Sequence, residues 1–190
     1  MAEPATTVQE TGIVAEDKIA VATQWQLMWW RFRKHKLAGA GTIILILFYV
    51  VALFAEGRYA EAATLAHAMT QRYPRHGFGW KTLGAVYRQM GCSADALAPM
   101  QKAAALSPGN AEAHSNLGTT LKDLGRLDEA EVSFRRALQI KPDYAGAHYN
   151  LGNTLKDLGR LEEAEGCYRR ALEVKPDYAE AHNNLSHTLW

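Results

Sequence analysis

Three asparagines, Asn116, Asn150 and Asn184, recur at intervals of 34 residues. Each carries an amide that can donate to and accept from a peptide unit, whatever side chains that peptide bears. Further polar groups stand at fixed offsets from them: Thr119, Asn153 and His187, then Lys122 and Lys156, then Asp123 and Asp157. Such a set suits hydrogen bonding and ion pairing with a ligand rather than bond breaking. His114, His148 and His182 share the same interval and invite a metal reading. Equivalent residues of stacked helical units lie about 10 Å apart, however, whereas a metal ion needs its donors at about 2 Å. The histidines therefore read as packing residues. The paired carboxylates Asp128-Glu129 and Glu162-Glu163 fall where the first turn of a helix is expected, and negative charge there complements the helix dipole. The sequence has no nucleophile beside a base, no phosphate-binding glycine loop and no Cys/His metal spacing. The reading is a non-enzymatic binding protein without metal or cofactor.

The elements that must position these groups follow from the same interval. With Ala111 as position 1 of a 34-residue unit, further units start at Gly77, Ala145 and Ala179, and the register runs back to Ile43. Leu83, Leu117, Leu151 and Leu185 share position 7, followed by Gly84, Gly118 and Gly152, with Ser186 as the departure. Small residues there let helices approach closely. Ala62, Ala96, Ala130 and Ala164 share position 20, and Ala103, Ala137 and Ala171 share position 27. Gly57, Gly91, Gly125 and Gly159 at position 15 can close a first helix in the left-handed conformation, and Pro74, Pro108, Pro142 and Pro176 at position 32 stop a second one. Each unit is expected to be a helical hairpin. Hairpins of this kind cannot bury their apolar faces alone, so they stack into a solenoid with an extended surface for partners.

This pattern resembles the tetratricopeptide repeat from about Gly57 onward, which implies an all-α solenoid in a right-handed superhelix. In that family, positions 2, 5, 6, 9, 12 and 13 of the first helix line the concave surface. The resemblance thus places Asn116, Asn150 and Asn184 at position 6 of a peptide-binding groove. Thr119, Asn153, Lys122, Lys156, Asp123 and Asp157 flank them. The asparagines are similar to the ladder in arrays attached to O-linked N-acetylglucosamine transferases, where amides hold an extended peptide backbone. The carboxylate clamp of chaperone-binding repeats is not reproduced, because position 5 reads Lys81, Ser115, Tyr149, Asn183 and position 9 begins with Ala85.

Composition limits the partners. The 21 Lys and Arg against 20 Asp and Glu leave a formal charge of +1, with no basic excess to suggest nucleic acid. Cys92 and Cys167 are far apart at non-equivalent positions, which argues against a disulfide framework and makes both small filler residues, Cys167 on an exposed position. Arg135-Arg136 and Arg169-Arg170 read as a solvated convex face.

Upstream, no charged residue occurs from Leu37 to Ala55, and such a run at helical rise reaches about 28 Å, close to the hydrocarbon thickness of a bilayer. Arg31, Arg33, Lys34 and Lys36, with Trp25, Trp29 and Trp30, precede it as a basic and aromatic flank. The expectation is a single transmembrane helix over 37–56 in a bacterial inner membrane, with the N-terminus cytoplasmic and the repeats periplasmic. A cleaved signal peptide fits less well, since no small-x-small site precedes Glu56. A rival reading makes residues 43–56 the first helix of one more repeat, with Leu53 at position 11. Against it, Val50 occupies the position that is glycine in the three following units, the last one with Ser186 excepted. The stretch from Gln24 to Ala38 and its apolar continuation resemble the start of a dipeptide/oligopeptide-type ABC importer permease subunit. Nothing downstream matches the rest of such a permease, so the resemblance implies a fusion and not transport.

The expected division is a tail over 1–23, a juxtamembrane segment over 24–36, the membrane helix over 37–56 and an orphan half repeat over 57–76. Repeats follow over 77–110, 111–144 and 145–178, with a truncated first helix over 179–190. The leading expectation is a membrane-anchored scaffold that binds an extended peptide or a partner helix. The alternative is the substrate-recognition arm of a transferase similar to O-linked N-acetylglucosamine transferase. Head-to-tail self-association through the uncapped last helix is a further expectation.

Overall fold

The computed structural model describes Leu53 and residues 56–188, which lie in the compact unit Val50–Trp190. The tail, the juxtamembrane segment and the membrane helix expected over 37–56 lie outside the described residues, save Leu53 and Glu56. Among the described residues no helix is long and apolar enough to cross a membrane.

The helices are α1 (Tyr59–Arg72), α2 (Gly77–Gln89), α3 (Ser93–Leu106), α4 (Ala111–Asp123), α5 (Leu127–Ile140), α6 (Ala145–Asp157), α7 (Leu161–Val174) and α8 (Ala179–Thr188). No strand occurs among the described residues. The even-numbered helices start at Gly77, Ala111, Ala145 and Ala179, the first positions of the register. We call these the A helices and the odd-numbered ones the B helices. Each helix packs on its neighbours in sequence, and A helices of successive repeats also touch. The result is a stack of hairpins, with one face made by A helices and the other by B helices.

The turn between A and B is set by glycine. Gly57, Gly91, Gly125 and Gly159 all have positive φ, between 72° and 77°. The next residue's N–H then returns to a carbonyl of the preceding helix, as Arg126 N to Leu121 O at 2.9 Å and Arg160 N to Leu155 O at 2.8 Å. These bonds satisfy carbonyls that the helix end would otherwise leave open. The prolines of position 32 follow the last residue of each B helix closely, where no further helical N–H is required. Pro99 stands inside α3, where its missing N–H removes one helical bond; burial of Ala96, Met100 and Ala103 on the same helix holds the segment in the stack.

Packing within a hairpin rests on glycine at position 8 against a large residue at position 24. A Cβ on Gly84 would lie 2.8 Å from Met100, on Gly118 2.8 Å from Phe134, and on Gly152 2.6 Å from Tyr168. Met100, Phe134 and Tyr168 are fully buried at those contacts. The central core joins Leu121, Ala130, Phe134, Leu151, Leu155, Ala164 and Tyr168 across two repeats. A second cluster of Ala111, Ala137 and Ala147 shows how small residues let one repeat's B helix meet the next repeat's A helix. Thr120 and Thr154 are buried, and their hydroxyls donate back to the carbonyls of Asn116 and Asn150, both at 2.9 Å. No buried side-chain polar atom lacks a partner among the described residues.

Three expectations change. The histidines of position 4 are more than packing residues: Nε2 of His114, His148 and His182 meets the carbonyl oxygen of Pro108, Pro142 and Pro176 at 3.2, 2.8 and 2.9 Å. Trp80 Nε1 does the same to Pro74 O at 2.9 Å, so the residue type varies while the bond recurs. Each of these bonds braces a B-to-A turn. Arg135 is not simply solvated. It donates to Glu131 at 2.8 Å and to Glu163 at 3.4 Å, while Arg160 donates to Glu131 at 2.6 Å and to Glu163 at 2.7 Å. The four side chains close a ring of alternating charge that joins α5 to α7. Burial works against the Glu131 charge, but the bonds from Arg135 and Arg160 prevail and hold its carboxyl below the usual range. Cys167 is half-buried against the central core, and burial pushes its thiol up.

Candidate functional site

Helical spacing brings positions 5, 6, 9, 12 and 13 of each A helix toward one face, and stacking sets those faces side by side. The cross-repeat bonds on this face follow a rule. A cation on one A helix reaches an acid on the next: Lys81 Nζ to Glu112 at 2.9 Å, Arg88 Nε to Asp123 Oδ2 at 2.9 Å, and Lys122 Nζ to Asp157 Oδ2 at 3.5 Å. All six are partly exposed, so these pairs contribute little stability but do set the local charge. Lys156, next in the series, has no such partner among the described residues.

The asparagines are not equivalent. Asn116 and Asn150 are half-buried, and among the described residues neither amide group has a hydrogen-bond partner. Asn184 is engaged: its Nδ2 donates to Asn153 Oδ1 at 2.7 Å and to the Tyr149 hydroxyl at 3.3 Å. Asn153 Oδ1 also accepts from the Tyr168 hydroxyl at 2.8 Å, so that oxygen is saturated. Thr119 folds back on its own helix, donating to Ser115 O at 3.0 Å. Of the expected site residues, the side chains of Asn116, Asn150 and Lys156 have no partner among the described residues, whereas Asn184, Thr119, Asn153, Lys122, Asp123 and Asp157 each make at least one side-chain bond within the protein.

Tyr149, Tyr168 and Tyr178 extend this network and were not singled out in the sequence. The Tyr149 ring lies 4.9 Å from that of Tyr178 and 6.1 Å from that of Tyr168. Burial pushes the Tyr168 phenol up to about 12 and raises that of Tyr178, so both stay protonated at neutral pH. Tyr149 stands at position 5 of the register, but its cross-repeat contact depends on the stack. Arg88 shares its register position with Lys122 and Lys156, which is the signal in the sequence for its place on this face. Among the described residues no group of three or more His, Cys, Asp or Glu could hold a metal ion. An open depression of about 630 Å³ lies at the turn side, lined by Asn110, Glu112, Ile140, Lys141 and Tyr144 among others, and is separate from the asparagines.

The geometry can be set beside known proteins. Two tetratricopeptide-repeat family models match, one over residues 81–145 and another over 123–186. Residues 23–69 match the N-terminal transmembrane domain of oligopeptide transport permease C. No curated protein matches the chain. Among solved structures, MamA is similar at 23% identity, covering 72% of this chain and 80% of that one, with a TM-score of 0.68. YrrB, described as a TPR protein with an unusual peptide-binding site, is 22% identical, covers 88% of this chain and 86% of its own, and has a TM-score of 0.67. The first TPR of Spaghetti (RPAP3), solved with the HSP90 peptide SRMEEVD, is 26% identical over 60% of this chain and 90% of its own, with a TM-score of 0.58. Agreement between the two repeat models, the 34-residue helix register and these folds identifies residues 81–186 as an array of tetratricopeptide repeats.

Proposed function

We propose that the array is a scaffold that binds an extended peptide along its A-helix face, reading the peptide backbone. The observation that carries this reading is the pair of free amides on Asn116 and Asn150, set between cations that are already neutralised. An amide can pair with both the N–H and the C=O of a passing peptide unit, whereas Lys81, Arg88 and Lys122 face acids of the next repeat. Affinity then comes from the ligand's main chain more than from its charge. The RPAP3 complex holds an acidic peptide, and the neutralised cations here favour a different preference.

The test is binding of unstructured peptides to the full chain by fluorescence polarisation at two ionic strengths. Backbone reading predicts less than a twofold change between about 0.05 and 0.3 M salt, since few ion pairs form. A steep loss of affinity with salt would replace this reading with a charge-clamp groove.

A second reading concerns the N-terminal segment taken by itself. The permease match over residues 23–69 supports an anchor over 37–56, and the basic flank of Arg31, Arg33, Lys34 and Lys36 supports a cytoplasmic N-terminus with the repeats on the periplasmic side of an inner membrane. No observation of its own favours the glycosyltransferase-arm alternative.

A further inference from the structure

The junctions between successive repeats differ at position 34, which reads His76, Asn110, Tyr144 and Tyr178. Three of these residues carry a ring. The Tyr144 ring lies over the start of α6, with its Cε2 3.4 Å from where a Cβ on Gly146 would stand. The Tyr178 ring packs on Tyr149 with centroids 4.9 Å apart, and that of His76 meets Tyr73 edge-on at 6.1 Å. Asn110 is the exception. Its short side chain folds inward to cap α4, accepting from Ala113 N at 3.1 Å. The space in front of Ala111 and Glu112 that a ring would cover is therefore open, and the depression of about 630 Å³ lies there. Ala111, Ile140 and Tyr144 give it an apolar wall that continues into Ala137 and Ala147. At its rim Glu112 is tied to Lys81 at 2.9 Å. Lys141 Nζ stands 5.6 Å from the centre of the Tyr144 ring and has no carboxylate partner among the described residues.

We propose that this depression takes an aromatic side chain of the peptide bound on the A-helix face. The inference rests on the groove reading for the path of the peptide and adds the class of side chain it must carry. Against Ile140 and Tyr144, the ligand ring takes the place that the Tyr144 ring itself holds at the following junction, over Gly146. The Lys141 ammonium favours a ring over an aliphatic side chain, because a π face attracts a cation. Reach is also satisfied. Asn116 is not part of the depression, but it follows Glu112 by four residues on α4, so the two share a face and lie about 6 Å apart along the axis. A main chain held at Asn116 therefore passes one helical turn from the depression, within the span of a single aromatic side chain.

Selection of peptides from a random display library, run in parallel on the full chain and on Asn110→Tyr, tests the site. Tyrosine is already tolerated at this register position, since α6 starts after Tyr144 without a side-chain cap. The unaltered chain should enrich peptides with an aromatic residue at one fixed place. Asn110→Tyr, which fills the depression, should lose that enrichment and bind the same peptides on the order of tenfold more weakly, as expected for one ring left unburied. Asn110→Ser keeps both a capping oxygen and the open depression, and should select and bind as the unaltered chain does. No aromatic enrichment on the unaltered chain, or equal enrichment on Asn110→Tyr, overturns the inference. A second measurement needs no variant. Selected peptides with p-benzoylphenylalanine at the aromatic place should photo-crosslink to residues 109–112 or 140–144, and attachment elsewhere also overturns it. The groove reading fails by a different result, undiminished binding to Asn116→Ala/Asn150→Ala, and crosslinks at the depression would then leave this site standing without the amide ladder.

Discussion

Alanine at Gly152 and alanine at Gly166 should shift stability in opposite directions, although both glycines are in helices of the same repeat. Replacing a mid-helix glycine by alanine ordinarily stabilises by about 1 kcal/mol, through backbone entropy. At Gly166 nothing lies within 4 Å of the added Cβ, so that gain should appear nearly whole. At Gly152 the Cβ would stand 2.6 Å from Tyr168 Cε1 and 2.9 Å from Cδ1. The ring cannot easily yield, because it is fully buried and its hydroxyl is held by Asn153 Oδ1 at 2.8 Å. Overpacking of this kind costs about 1–3 kcal/mol, and the rigid ring argues for the upper end. The net effect is a loss of about 2 kcal/mol for Gly152→Ala, after the propensity gain is subtracted. Gly84→Ala should lose less, since the colliding atoms belong to the flexible Met100 side chain. Chemical denaturation of the full chain, followed by circular dichroism, measures all three. Because repeat arrays need not unfold in one step, the comparison rests on the order of midpoints. If Gly152→Ala proved as stabilising as Gly166→Ala, the glycine–aromatic account of hairpin packing would be wrong.

Acid should weaken the ring of Glu131, Arg135, Glu163 and Arg160. The Glu131 and Glu163 carboxyls lie below their usual range in the folded state, so their contribution is present above the unfolded carboxylate pKa of about 4.3 and fades as pH falls through the lower folded value. Thermal melts between pH 7 and pH 3 should show this loss, and Glu131→Gln should flatten it; an unchanged profile would remove the ring from the account. Breaking a turn brace by His148→Ala should cost about 1 kcal/mol, since one hydrogen bond to Pro142 O disappears, and denaturant midpoints would report it. Asn184→Ala should lower stability more than Asn150→Ala, because only Asn184 has protein partners; equal melting losses would contradict the inequivalence of the asparagines.

Much of this fold was legible because its determinants are local. The glycine at position 15, the proline at position 32 and the small residues at positions 8, 20 and 27 act within one hairpin, and spacing alone exposes them. Side-chain bonding between repeats was not legible. Asn116, Asn150 and Asn184 look identical in register, yet Asn184 meets Asn153 and Tyr149 across repeats, a contact that depends on how neighbouring hairpins superpose. The histidine–proline bonds have a constant six-residue interval, as from His148 back to Pro142, but the interval alone does not show that the turn brings the ring onto the proline carbonyl.

The central claim is that free amides on the A-helix face hold a peptide backbone, and peptide selection tests it most directly. Peptides chosen from a random display library against the full chain should be remeasured on Asn116→Ala/Asn150→Ala and on Val132→Arg, a change at an exposed residue of a B helix. Two lost amide contacts of about 1 kcal/mol each predict a fall in affinity on the order of thirtyfold for the asparagine variant. The Val132→Arg variant should bind as the unaltered chain does. Peptides that bind the asparagine variant undiminished, or that lose affinity only on Val132→Arg, would contradict the account and move the binding surface to the B helices.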